Sequence, residues 1–338
     1  MRVLHLPPWE PTPAEAHQLA YFQSKGWAVE RVEFGPPPGP TATFREALFA
    51  AARAARSPRF RTVASKPFDL FFGNEVFAAP FAVALPRTVR KVVAASGIQA
   101  ERFRPARPGR LHDAEEQWVF RHVEVDLYRA FDAAALDREE DAVRLRDAGY
   151  AGARYVPGYF PVAPSKPCGT ETHDVLVVGG DTPQDLAGLE RFYRHVYLPY
   201  LRPDRVRLAV AGPLAERFAV ADGCVARLSS AAEFDAKVAV VPGSRGTGRM
   251  GHALAAGGVV LATPAGAEGL DPDSGAFVTA DFAHDPAGSA ATILALLRDE
   301  PRRVAIRQRA AELIARTHTR AAYTAGMDAV LRVARRAA

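Results

Sequence analysis

Cysteine is nearly missing from this sequence: Cys168 and Cys224 are the two in 338 residues, far apart and without metal-ligand spacing. A fold stapled by disulfides or structural zinc is therefore excluded, and a reducing compartment, the cytoplasm, is expected. Long apolar runs are also lacking. None approaches the ~18 residues of a membrane-spanning helix, and the opening stretch Met1–Pro11 reads as a strand followed by proline rather than as a signal peptide. The nine histidines show no H-x-x-x-H or H-E-x-x-H spacing, and no G-x-S-x-G occurs. Metallohydrolase and serine hydrolase chemistry thus have no motif, and no metal site is predicted. Charge of one sign is not in large excess either: 43 Lys and Arg stand against 38 Asp and Glu, a formal +5. With no basic tail or basic domain, nucleic acid is not an expected partner.

What is present is ordinary globular composition, 48% hydrophobic and 24% charged, with 26 Gly and 27 Pro. At about 100–200 residues per domain, the length suits two domains with their own cores. Along the chain, short apolar runs alternate with helical patterns, the signature of parallel sheets with crossover helices. Strands are predicted at 3–6, 27–34, 69–72, 89–95 and 131–135. Thr12-Pro13-Ala14-Glu15 reads as a capping box opening a helix that Gly26 ends. A helix follows from about Thr43 to Ala55, Asn74 is expected to cap the helix through Ala84, and Asp137 with Glu140 to cap one ended by Gly149. Residues 158–172, rich in Pro and Gly, form the predicted linker. Beyond it, strands at 174–178, 206–211, 237–241 and 259–263 and a closing set of helices from about Ala287 make a second α/β domain. The predicted division is 1–157, linker 158–172, and 173–338 with the C-terminal helices included. Two such Rossmann-like domains facing across a cleft would bind ligand at loops beyond the carboxyl ends of the strands.

The most informative loop is Pro242–His252 (PGSRGTGRMGH). It follows a buried strand and precedes a helix, so glycines let backbone N–H groups approach an anion while Arg245 and Arg249 add positive potential, a diphosphate cradle in outline. Its alternative is a flexible turn with solvated arginines. Gly246–Gly251 also spells G-x-G-x-x-G with Glu268 about twenty residues on, which keeps a nicotinamide site open. Gly179-Gly180-Asp181 before the next helix offers a second set of N–H groups, or a tight turn capped by Asp181 or Asp185. Asp271-Pro272-Asp273 reads as a turn rather than a cation site. Two arginine clusters remain: Arg53, Arg56, Arg59 and Arg61 with Lys66, which suit either solvent or anionic lipid, and Arg102, Arg104, Arg107 and Arg110, which follow a strand's carboxyl end.

Several segments together resemble the family 4 glycosyltransferases of the GT-B fold: Val177–Phe192, Leu208–Pro213 (LAVAGP), Val238–Leu270, and, in the first half, Phe131–Asp137 with Tyr155–Gly158. The resemblance implies transfer of a sugar from a nucleoside diphosphate sugar to an acceptor, with retention and without a required metal or other cofactor. It implies Arg245 and Arg249 as the catalytic groups that stabilise the departing diphosphate. Donor contacts would come from Gly179, Gly180, Asp181, Ser244, Gly246, Thr247, Gly248, His252 and Glu268. The acceptor would meet Ser96, Gln99, Arg102 and Arg104. At two positions where the family often has Glu this chain has Ser244 and His252, and where it commonly shows an Asp-x-His-Asp-like run this chain has Val93–Gln99 (VAASGIQ). Those replacements sustain the alternative of a non-catalytic binding or scaffold protein that kept the fold.

Overall fold

The computed structural model describes residues 1–7, 13–33, 44–98, 118–162, 171–179, 183–218, 225–228, 236–243 and 247–337. The chain divides into two compact units, residues 1–159 with 320–338, and residues 160–319.

The first unit is built on a six-stranded sheet in the order β2-β1-β3-β4-β5-β6, every neighbouring pair parallel. Its strands are β1 (Arg2–Leu6), β2 (Ala28–Arg31), β3 (Leu70–Asn74), β4 (Arg90–Ala95), β5 (Ala133–Leu136) and β6 (Ala153–Tyr155). The inner strands are mostly apolar because both faces are covered. Alternate residues go to opposite faces. Leu4, Phe71, Val93 and Ala134 join one core with the helices α2 (Phe44–Ala55), α3 (Pro58–Ala64), α4 (Ala79–Ala84), α5 (Val125–Tyr128) and α6 (Glu139–Asp147). Val3, Leu70, Phe72, Val92 and Ala133 join another with Tyr21 and Phe22 of α1 (Pro13–Ser24).

That second core is completed by the far end of the sequence. Met327, Val330, Leu331 and Ala334, on the last helix (Arg320–Ala337), are buried in it. The expectation that 173–338 forms one domain is corrected here. Lys25 pairs with Asp328 at 2.8 Å, and a Cβ on Gly326 would lie 3.3 Å from the Val156 backbone, so the helix sits close on the sheet's covering strand end. Burial of three large side chains contributes roughly 5–8 kcal/mol as an upper estimate.

The second unit holds β7 (His173–Val178), β8 (Leu208–Ala211), β9 (Val225–Leu228), β10 (Ala236–Val241), β11 (Val260–Ala262) and β12 (Val278–Thr279). They are parallel in the order β12-β11-β10-β7-β8-β9. One face packs on α7 (Pro183–Phe192), its π-helical continuation Tyr193–Leu201 and α10 (Pro286–Arg298). The other packs on α9 (Thr247–Ala255) and α11 (Glu300–Thr317), with Phe160. The short segment Pro213–Arg217 forms α8, and the last helix of the first unit is α12.

Several local expectations differ from the structure. β6, β9 and β12 were not anticipated: Ala153–Tyr155 and Val225–Leu228 are interrupted by arginine, and Val278–Thr279 is two residues long. The helix expected to follow the Pro242–His252 loop begins within it, at Thr247. Asp137 does not cap α6, whose N-cap is Arg138 in extended backbone with no side-chain cap bond. Gly26 and Gly149, with φ of +67° and +92°, do end their helices. Asp271 accepts from the Asp273 N–H at 2.9 Å in a short 3-10 turn, as expected of a turn.

Candidate functional site

In each sheet the strand order reverses direction once, between β1 and β3 and between β7 and β10. Ligands of open α/β sheets bind beyond the carboxyl ends of the strands at such a switch point. Each unit therefore offers one candidate edge.

In the second unit the edge starts at Gly179, directly after β7. A Cβ there would come within 2.6 Å of Leu214 Cδ2, so only glycine lets α8 approach. Gly188 on α7 serves the same end: its Cβ would meet the Pro242 carbonyl oxygen at 2.8 Å, which seats α7 against the chain leaving β10. The β11 loop folds back over the same place. The Gly266 N–H donates to Thr263 Oγ1 at 3.1 Å, and a Cβ on Gly266 would stand 3.3 Å from the Val241 carbonyl oxygen. Glu268, half-buried, follows on this loop.

The α9 helix carries its N-terminus, at Thr247, to this edge. Its seating depends on Gly251, whose Cβ would lie 2.3 Å from the Phe160 ring. The His252 imidazole meets the same ring edge-on, centroids 4.8 Å apart. Burial depresses the His252 pKa below the usual histidine value, so the ring is neutral at pH 7. A neutral imidazole offers one donor and one acceptor, unlike a carboxylate.

The structure thus brings Gly179, the N-terminal turn of α9 with Thr247 and Gly248, and the Glu268 loop to one edge, with His252 in the second turn of the same helix. The side chains of Thr247 and Arg249, and all of Gly180, Asp181, Ser244, Arg245 and Gly246, lie outside the described residues. The G-x-G-x-x-G letters fall after the fourth strand of the unit and mostly within α9. A dinucleotide fingerprint belongs to the first βα turn instead.

In the first unit Ser96 is exposed just beyond β4, whereas Gln99, Arg102 and Arg104 lie outside the described residues. Asn74, expected to cap a helix, instead belongs to a polar cluster at the ends of β1 and β3. Its Nδ2 donates to the Leu6 carbonyl at 2.9 Å, and its Oδ1 accepts from Gln18 Nε2 at 2.8 Å. Fully buried His5 completes the cluster, its Nε2 lying 3.1 Å from Gln18 Oε1. Burial lowers the His5 pKa, against the raising effect of the Gln18 hydrogen bond, and the Phe22 and Phe72 rings are among its neighbours.

The carboxylate next to Asn74 was missed by sequence reasoning. Glu75 adopts φ 60° and ψ 157°, and its Oε1 accepts from Ser96 Oγ at 2.7 Å. The one signal available was its place just past an apolar strand; a backbone angle leaves no mark on composition.

Among the described residues no group of three or more His, Cys, Asp or Glu is placed to hold a metal ion, and no helix is long and apolar enough to cross a membrane. The α2–α3 face keeps Arg45, Phe49, Arg53, Arg56, Arg59 and Arg61 exposed, with the Arg45 guanidinium over the Phe49 ring.

No protein-family profile and no curated protein sequence matches this chain. Solved structures do. Sucrose-phosphate synthase from Thermosynechococcus elongatus matches over 100% of both chains with a TM-score of 0.73 at 14% identity. HepE from Anabaena, in complex with UDP and glucose, covers 98% of this chain and 99% of its own with a TM-score of 0.67 at 13% identity. The UDP-forming α,α-trehalose-phosphate synthase from Burkholderia vietnamiensis covers 98% and 100% with a TM-score of 0.68 at 15% identity. The chain has the GT-B fold. At these identities the likeness concerns architecture, and the expected pair of Rossmann-like domains is what the two six-stranded parallel sheets are.

Proposed function

We propose that this protein is a cytoplasmic glycosyltransferase that moves a sugar from a nucleoside diphosphate sugar to an acceptor with retention of configuration. The observation that carries the reading is the full-length GT-B fold combined with a glycine-lined carboxyl edge at the β7/β10 switch point. Similar structures include HepE bound to UDP-glucose, which supports a nucleotide sugar as donor.

In this reading the diphosphate lies against the N-terminus of α9, where unpaired N–H groups and the helix dipole favour an anion. Arg245 and Arg249 neutralise the charge that grows on the diphosphate as the glycosidic bond breaks. Gly179, Gly180, Asp181, Ser244, Gly246, Thr247 and Gly248 line the donor. His252 and Glu268 stand nearest the nucleoside, and no metal or cofactor is required. Ser96, Gln99, Arg102 and Arg104 serve the acceptor side. The exposed basic and aromatic face of α2 and α3 gives peripheral contact with anionic lipid.

Calorimetric titration of UDP and GDP into the wild type, Arg245→Ala and Arg249→Ala tests the donor site. Loss of a charge-assisted contact weakens binding by about 10–100-fold; undiminished affinity in both variants overturns the diphosphate role.

A further inference from the structure

Two glycines three residues apart on α9 meet different surroundings. No described residue lies within 4 Å of a Cβ built on Gly248, in the first turn, whereas one on Gly251, in the second, would collide with three carbons of the Phe160 ring. A glycine inside a helix is destabilising relative to alanine. At Gly251 the room it leaves is taken by an aromatic side chain.

That side chain is itself fixed. Phe160 is 5% exposed, and its N–H donates to the His318 carbonyl at 3.2 Å. Its ring centroid lies 5.3 Å from the imidazole of His318 and 4.8 Å from that of His252, the residue after Gly251. His318, buried, closes α11, its N–H donating to the Ile314 carbonyl at 2.9 Å. Phe160 is the first residue of the second unit and Thr319 its last. The ring that seats α9 is therefore tied to both the entry and the exit of the chain.

The remaining support of α9 is aliphatic. Met250, Ala253 and Leu254 share a core with Ala310, Leu313 and Ile314 of α11 and with Phe160, which comes from the segment leading into the unit. At a rise of about 1.5 Å per residue, Gly251 lies only about 6 Å along the axis from the first residue of α9. A shift of the Phe160 seat is thus passed to the N-terminal turn nearly undiminished. The N–H groups of that turn have no partners within the helix, and they favour an anion only where they converge on it.

We propose that Phe160 is a positioning residue of the donor site: by filling the Gly251 notch it places the N-terminal N–H groups of α9 for a nucleoside diphosphate, although its own buried side chain meets no ligand. This deepens the glycosyltransferase reading and rests on it for the donor.

Calorimetric titration of UDP and GDP into the wild type, Phe160→Leu, Gly251→Ala and the double variant tests the role, each protein being shown by its thermal transition to be folded at the titration temperature. Leucine withdraws the ring and opens a gap, the alanine methyl intrudes on the ring, and together the methyl enters the gap. Each single variant is expected to bind the tighter nucleotide about tenfold more weakly than the wild type, and the double variant to recover to within about threefold. A ring that only stabilised the fold would lower the melting temperature and leave the affinity of the folded protein unchanged. Undiminished affinity in either single variant, or a double variant that binds no better than Gly251→Ala, overturns the proposal. If Phe160→Leu alone does not fold, the Gly251→Ala and double variants decide by the same comparison. A wild type that binds neither UDP nor GDP sinks the donor reading and this proposal together, an outcome distinct from wild-type binding that the variants leave untouched.

Discussion

Replacing Gly251 by alanine probes how α9 is held at the carboxyl edge of the second sheet. An added Cβ would stand 2.3, 2.6 and 2.7 Å from three Phe160 ring carbons, about 1 Å inside ordinary contact. The ring has little room to retreat, since Phe160 is 5% exposed and lies against His252 and His318. Overpacking of this kind costs about 1–3 kcal/mol. Against it stands the helix-propensity gain of alanine over glycine, about 1 kcal/mol. Gly248, on the same helix with nothing within 4 Å of its Cβ, supplies the control that isolates the clash. Urea unfolding should show Gly248→Ala stabilised by about 0.5–1 kcal/mol and Gly251→Ala neutral to about 2 kcal/mol less stable than the wild type. In a Phe160→Leu background the cost of Gly251→Ala should largely vanish, a coupling of about 1–3 kcal/mol. Equal stabilisation by both alanines, or no coupling to Phe160, would refute the packing account of how α9 is seated.

Met327→Ala removes a side chain that is 1% exposed from the core of the first sheet and should cost about 2–5 kcal/mol in urea unfolding; an unshifted midpoint would detach α12 from that core. Burial holds the folded-state pKa of His5 below 6.5, so the unfolded chain takes up a proton that the folded one resists. Its contribution is intact above pH 6.5 and is lost as the pH falls through the lowered folded value, at up to about 1.4 kcal/mol per pH unit. A His5→Gln variant should flatten that part of the stability curve, and an unchanged acid limb would exclude His5 as its source. Vesicles rich in phosphatidylglycerol should co-sediment the wild type at low salt more than an Arg53→Glu/Arg56→Glu variant, with the difference fading as salt screens the charges; equal sedimentation would leave the α2–α3 face to solvent alone.

Long, doubly buried strands were legible in the sequence. Runs such as Val3–Leu6 and Val238–Val241 are largely apolar, His5 being the exception, because helices cover both faces, and no other fold class makes that pattern alternate with helices so regularly. Short edge strands were not legible, because Ala153–Tyr155 and Val225–Leu228 contain arginine and are defined by the partner they join. The same holds for α12. Its amphipathic pattern says that one face is buried, while only the Met327, Val330 and Leu331 contacts say it is buried on the first sheet rather than the second.

The candidate site divides along the same line. Gly179, just past β7, was readable as a place where few residue types tolerate close approach, and Leu214 is what approaches it; Gly251 meets the Phe160 ring, whereas Gly248 opens onto free space. His252 was readable as a residue type but not as a neutral ring wedged on Phe160, since burial fixes its protonation. Asn74 looked like a helix cap by position, yet its amide donates to the Leu6 carbonyl on the neighbouring strand and accepts from Gln18. Composition and periodicity determined that this chain would make two parallel α/β sheets with loops at their carboxyl ends, because burial and helix geometry act locally along the sequence. Which unit α12 completes, and that Glu75 is forced into a glycine's backbone with its carboxylate beside Ser96, were decided by the tertiary structure, because both depend on contacts between residues far apart in the chain.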